Sequence, residues 1–247
     1  MTMMATQRIR VLELRHAEVE TPGAYSTALD ELADVETVRA WREPLPDKMT
    51  GFDAIIVMGG PMGVGDADAI PWIASEIVFL RDAVAVGIPV WGVCLGSQLL
   101  AAALGADVFR GDVPEIGVRE VTLNSDGIAD PVWGATPSAA FETVQWHFDT
   151  FALPAGATLL AGSALYPNQL FRYGNSYGVQ FHLEAGGALI RRWLHGESRN
   201  EVEAAIGRAA VDRFADDAAN AEALTAPLSA AVMRRWLASV ATHRPAG

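Results

Sequence analysis

Up to about Asp107 the chain alternates short apolar runs with stretches of helical spacing. Residues 8–14 and 35–38 read as strands. Residues 54–58, Ala-Ile-Ile-Val-Met, are apolar without a break and stop at Gly59-Gly60-Pro61, as an interior parallel strand buried on both faces would. Pro71 opens a predicted helix in which Trp72, Ile73, Ile77, Leu80 and Val84 share one face, and Gly87 closes it. Residues 89–93 form a further strand, and residues 95–104 a helix stopped by Gly105. This rhythm predicts an α/β fold: a central, mostly parallel sheet flanked by helices, with flavodoxin-like layering. Beyond Asp107 the texture changes. Residues 118–123, 141–145, 158–161, 169–173 and 177–181 read as strands separated by Gly, Pro and Asn turns. The last quarter is alanine-rich, and Leu224, Leu228, Val232, Trp236 and Val240 recur every fourth residue along a predicted helical stripe.

Composition narrows what this fold is for. With 51% apolar and 19% charged residues, a chain of 247 can bury a sizeable core as one domain with at most a small appendage. A net charge of −12 repels a phosphate backbone and argues against nucleic acid as a partner. The single cysteine, Cys94, excludes an intramolecular disulfide and any cysteine-based zinc site. A lone thiol and the absence of a signal-peptide apolar region in residues 1–10 point to the cytoplasm. Residues 83–106 carry no charge, long enough to imitate a membrane span, but Gly87, Pro89, Gly92, Gly96 and Gln98 interrupt them. A buried strand followed by a buried helix accounts for that stretch, so no membrane association is expected.

The chemistry centres on Gly92-Val93-Cys94-Leu95-Gly96, a predicted strand-to-helix junction. A nucleophile on such a tight turn needs small neighbours, and the helix that follows aims its free amides and partial positive charge at the sulfur, favouring thiolate. The plain alternative is a buried structural cysteine. A cysteine nucleophile needs a base, and His182 and Glu184 stand two apart near the end of a predicted strand, where residues i and i+2 share a face. The carboxylate would fix the imidazole tautomer and stabilise the imidazolium. Read as a metal pair, His-x-Glu would need further ligands from His16, His147, His195 or His243. Acyl transfer also needs oxyanion donors. Gly60, with Gly59 as a further option, follows a strand, and the Leu95 amide follows the nucleophile. The same glycines could cradle phosphate, but residues 59–65 lack the Gly-Lys-Ser/Thr ending of a P-loop.

Three segments in this order carry a resemblance: Gly59-Gly60-Pro61, Gly92-Val93-Cys94-Leu95-Gly96-Ser97-Gln98 and Gly178-Val179-Gln180-Phe181-His182-Leu183-Glu184. Together they resemble the class I (triad) glutamine amidotransferases, and more narrowly the stand-alone proteins similar to the amidotransferase domain of GMP synthase. The resemblance runs from about residue 8 to 193, weaker at 146–149 and 167–173. It implies the family's α/β fold of seven or so strands, and a γ-glutamyl thioester on Cys94 that releases ammonia or an amine before water resolves it. It also implies substrate binding by Gln98 and by the loop at His147 and Phe148. The bland alternatives are a satisfied buried amide at Gln98 and a hydrogen-bonded structural histidine at His147. Two departures stand out: Leu183 replaces the family's proline between histidine and glutamate, and Phe148 replaces a glycine. The first leaves the spacing intact; the second reshapes the pocket.

The expected function is therefore a glutamine amidotransferase-like cysteine amidohydrolase acting on a small-molecule γ-glutamyl amide. The donor is either glutamine, with ammonia consumed by a separate synthase subunit, or a glutathione-like γ-glutamyl peptide, which needs no partner. A non-catalytic member binding a metabolite or a partner protein is the alternative of another class. No cofactor is implied. The resemblance divides the chain into an amidotransferase-like domain, residues 1–195, and a C-terminal helical extension, residues 196–247, packed on it. The extension's stripe could also pair two copies as a homodimer.

Overall fold

In the computed structural model, which describes residues 8–49, 51–195 and 197–243, apolar alternation and apolar runs become nine strands of one sheet. Five are β1 (Ile9–Arg15), β2 (Ala33–Arg39), β3 (Ala54–Val57), β4 (Val90–Val93) and β9 (Ser176–Val179). The others are β5 (Val108–Leu123), β6 (Ala140–Phe151), β7 (Thr158–Ser163) and β8 (Leu170–Tyr173). Their spatial order is β2-β1-β3-β4-β9-β8-β7-β5-β6. The first five pair in parallel and the remainder antiparallel, so the sheet is mixed, with β9 at the changeover.

Helices cover both faces of the parallel half, as βαβ connections demand. On one face, α2 (Pro71–Ala85) and α3 (Leu95–Ala103) pack on Leu12, Leu14, Ile55, Val57 and Val90. The opposite face carries Val11, Ile56, Trp91 and Val179 against α1 (Ser26–Leu32) and α7 (Arg208–Thr242). Neighbouring positions such as Ile55 and Ile56 enter different layers, the period-2 signature of a strand buried on both sides. Trp91, Trp133 and Trp236 are fully buried within 5.3–5.9 Å centroid contacts centred on Trp91. Each such ring withdraws about 200 Å² from water, on the order of 5 kcal/mol of burial energy. A short helix α4 (Ser125–Ala129), capped by Asn124 accepting from the Gly127 amide, links β5 to the segment before β6. Helices α5 (Gly187–Trp193) and α6 (Glu197–Ile206) complete a third apolar cluster with the first half of α7.

One expectation changes. The C-terminal stripe does not begin at Leu224, which is 80% exposed, but at Leu228. A strict i+4 spacing overshoots the 3.6-residue turn and so drifts around the helix, leaving its first member turned to solvent while Val232, Trp236 and Val240 are buried. The strand and helix expected within residues 83–106 are β4 and α3, preceded by the end of α2, and among the described residues no helix is long and apolar enough to cross a membrane.

Candidate active site

The carboxyl edge of the sheet at β4 and β9 sets the site, because both strands end there beside the start of α3. Cys94 lies between β4 and α3 with φ 50° and ψ −109°, the single non-glycine at positive φ among the described residues. That backbone is sterically disfavoured for a residue with a Cβ and is held by its surroundings. The Cys94 amide donates to the Val179 carbonyl at 2.8 Å, and its carbonyl accepts from Ser97 and Gln98 at 2.9 and 3.1 Å. The turn also demands glycines: a Cβ on Gly92 would sit 2.4 Å from the Gly96 carbonyl oxygen, and one on Gly96 2.1 Å from that of Val57.

His182 and Glu184 reach this corner from a turn rather than from the strand itself. β9 ends at Val179, and His182 is held by an antiparallel bridge to Val144, with its amide on the Val144 carbonyl at 2.8 Å. Its Nδ1 meets Glu184 Oε1 at 2.8 Å, both side chains almost fully buried. Burial alone would lower the His182 pKa, but the charges of Glu184 and Cys94, and hydrogen bonds to both, hold it well above its ordinary value. The sulfur, imidazole and carboxylate thus form one electrostatic unit. Cys94 is 7% exposed, with the Trp146 carbonyl at 3.7 Å and Gln180 Nε2 at 3.8 Å from its sulfur.

A cavity of about 300 Å³ opens over the sulfur, bordered by Gly60, Leu95, Gln98, His147, Phe148 and His182 among others. The Gly60 and Leu95 amides donate no hydrogen bond within the described residues. Gln98 is buried and its Nε2 donates to the Asp149 carbonyl at 3.2 Å and to Gln180 Oε1 at 3.3 Å. His147 meets Glu115 Oε2 through Nε2 at 3.1 Å and the Asp149 carbonyl through Nδ1 at 3.0 Å, so both of its nitrogens are engaged. Phe148 lies at the rim under the Arg110 guanidinium, 4.7 Å from its ring centroid. Leu183 is fully buried in the apolar layer of Trp91. No group of three His, Cys, Asp or Glu among the described residues could hold a metal ion.

Several residues at the site were not legible in the sequence. Glu20 borders the cavity, and its Oε2 is shut off from solvent without a hydrogen-bond partner among the described residues. Burial raises its pKa; His182 and His16 oppose and Glu184 reinforces the rise, leaving the carboxyl at about 7 instead of 4.5. Trp193 stands edge-on to His182 at 4.8 Å and ties down the Val19 carbonyl through Nε1 at 3.1 Å. His16 and Glu76 form a buried pair beneath Gly59. A buried acid in a surface-like Glu-rich loop, or one on an amphipathic helix, gives no signal in a single sequence.

A mixed α/β sheet with a cysteine elbow beside a His–Glu pair is an amidotransferase architecture. The model of the family "Glutamine amidotransferase class-I" matches residues 26–190, and the chain belongs to that family. It is 35% identical over 182 residues to the glutamine amidotransferase-like protein YfeJ of Salmonella typhimurium, covering 71% of this chain and 76% of that one. It is 32% identical over 181 residues to the glutamine-hydrolyzing GMP synthase of Aeropyrum pernix, covering 70% of this chain but only 31% of that protein. Among solved structures, a glutamine amidotransferase from Thermotoga maritima superposes with a TM-score of 0.83 at 30% identity, over 94% of this chain and 99% of the other. One from Methylobacillus flagellatus gives 0.81 at 26% identity, over 95% of each.

Proposed function

We propose that the protein hydrolyses a γ-glutamyl amide through a thioester on Cys94. The observation that carries this reading is the coupling of His182 to Glu184 on one side and to Cys94 on the other, at a strained strand–helix corner. With Nδ1 on Glu184, the second ring nitrogen is left for the thiol. The sulfur attacks the γ-carbonyl carbon as His182 takes its proton. The Gly60 and Leu95 amides, with Gly59 as a further option, receive the negative oxygen. When the C–N bond breaks, the leaving nitrogen takes the proton from His182 and departs as ammonia or an amine. Water then attacks the thioester carbon, gives its proton to His182, and the thiolate leaves. Gln98 and the segment of His147 and Phe148 border the end of the cavity that would take the amino-acid part.

In the same reading, residues 1–195 carry the machinery and 196–247 are an extension, packed on it through its described residues 197–243; Ser198 and Glu201 border the cavity. A glutamine-dependent role would pair the chain with a separate ammonia-consuming synthase. Purified protein incubated alone with glutamine or with γ-glutamyl peptides, quenched rapidly and weighed intact, tests the proposal. A γ-glutamyl adduct on Cys94, with release of ammonia or the free peptide remainder, is expected, and the donor that produces it identifies the substrate. No turnover and no adduct, with Cys94 alkylated by a glutamine-mimicking electrophile no faster than an ordinary thiol, refutes it.

A further inference from the structure

The histidine just past β1 makes contacts unrelated to the base. His16 is 2% exposed, and its Nδ1 lies 3.0 Å from the Gly59 carbonyl oxygen. Its Nε2 lies 3.0 and 3.2 Å from the two oxygens of Glu76, an α2 carboxylate with no exposed surface. Trp72 stacks flat on the ring, 5.2 Å between centroids and 3° between planes. Both nitrogens therefore face acceptors. A carbonyl oxygen and a carboxylate can both be satisfied only by an imidazole that carries hydrogens on both nitrogens. Burial opposes that charged form, but Glu76, the Gly59 carbonyl and the nearby Glu20 carboxylate outweigh it. A cation is thus fixed on the carbonyl of the peptide that precedes Gly60.

No peptide bond among the described residues is cis. In a trans peptide the carbonyl and the following N–H point in opposite directions across one plane. With the Gly59 oxygen held by His16, the Gly60 N–H is turned to the other side, and Gly60 borders the cavity over Cys94. Gly60 is wedged there: a Cβ would come within 2.7–2.9 Å of Met62, His16 and Leu95 side-chain atoms. A charge-assisted bond to the carbonyl also polarises the amide, making its N–H a stronger donor.

We propose that His16, held by Glu76, is a positioning residue of the reaction that fixes and polarises the Gly59–Gly60 peptide so that the Gly60 amide receives the oxyanion. This rests on the amidohydrolase reading above. A purely structural role is a poor account of the pair, because a buried ion pair is often replaceable by apolar side chains with no loss of stability. Here the pair abuts a peptide whose orientation the chemistry would use.

That replaceability supplies the test. In the full-length protein, Glu76→Gln keeps the shape and the bond to Gly59 but leaves the imidazole neutral, without changing the net charge of the pair. The double variant His16→Leu/Glu76→Leu removes the device into an apolar core. Each is compared with wild type for kcat and KM on the γ-glutamyl amide that wild type hydrolyses. Cys94 alkylation by iodoacetamide, which builds no carbonyl oxyanion, is measured beside it. Removing one oxyanion donor costs about 100- to 1000-fold in kcat, so kcat should fall about 100-fold in the double variant and about 10-fold in Glu76→Gln. KM and the alkylation rate should stay within about threefold, since ground-state binding and thiol reactivity do not use the oxyanion site. Unchanged kcat in Glu76→Gln overturns the proposal even if the double variant does not fold, and so does a parallel fall of turnover and alkylation. A wild type inactive on every γ-glutamyl amide would instead bring down the amidohydrolase reading, and this one with it.

Discussion

Glu20 gives the site a proton that titrates near neutrality, and the consequence for stability can be worked out. In the unfolded chain its carboxyl loses a proton at its ordinary 4.5; in the folded protein it does so at about 7. Between those values the folded state holds a proton that the unfolded state has released, so stability falls as pH rises through this window. Above it the whole difference opposes folding. At about 1.4 kcal/mol for each factor of ten in proton affinity, the interval is worth roughly 3 kcal/mol. The residue as a whole is only half-buried although Oε2 is closed off, so solvent screening reduces that figure to about 2 kcal/mol. Glu20→Gln resembles the protonated acid at every pH. Its stability advantage over wild type should therefore grow by about 2 kcal/mol between about pH 5 and pH 8, with most of the rise above pH 5.5. Urea unfolding of both proteins across that range, fitted with a common slope, measures the difference directly. A difference curve that is flat, or that falls with pH, refutes the reasoning and means that Oε2 finds a donor or water in solution.

Two further perturbations probe the corner itself. Gly96→Ala would drive a Cβ to 2.1 Å from the Val57 carbonyl oxygen, a backbone atom rather than the end of a flexible side chain. A loss of about 2–3 kcal/mol in urea unfolding is expected, with slower Cys94 alkylation as α3 shifts. Cys94→Gly should be more stable than Cys94→Ala by about 1 kcal/mol, because glycine adopts φ 50° without steric cost and alanine does not. Equal midpoints for the two variants would show that the corner is not strained.

The centre of the parallel half was legible because β3 and β4 carry no charged or polar side chain: residues 54–58 and 89–93 could hardly be anything else. The elbow was legible because Gly92 and Gly96 bracket the cysteine where backbones meet. β5 was not. It begins ten residues before the run that announced it, carries Arg110, Asp112 and Pro114, and breaks register between Arg110 and Glu115. Phe109 and Val113 there are about half exposed, so the period-2 contrast that marks a one-sided strand is lost. The His182–Glu184 contact was expected from strand geometry, yet it is made on a turn after β9, where a bridge to Val144 holds the histidine. The spacing was informative; the conformation inferred from it was not. His16, Glu20 and Glu76 escaped for a different reason. Their meaning lies in who faces whom across 60 residues of chain, and each looks like a solvated side chain until the sheet brings it under Gly59.

These buried groups also explain one another. Two imidazoles, His16 and His182, each face a carboxylate, Glu76 and Glu184, in contacts of 2.8–3.0 Å. Those pairs balance locally, and both histidines are held toward their charged forms. Glu20 is the third carboxylate in the group; burial keeps its proton on until about pH 7, with Glu184 adding to the rise and the two imidazoles opposing it. Ionising it adds a negative charge beside Glu184, and the added charge strengthens the hold of both imidazoles on their protons. Acidification that neutralises Glu20 therefore weakens the grip on the His182 proton. A pH dependence of turnover that changes when Glu20 becomes glutamine, while Cys94, His182 and Glu184 stay in place, is the kinetic counterpart of the stability curve and follows from the same charge count.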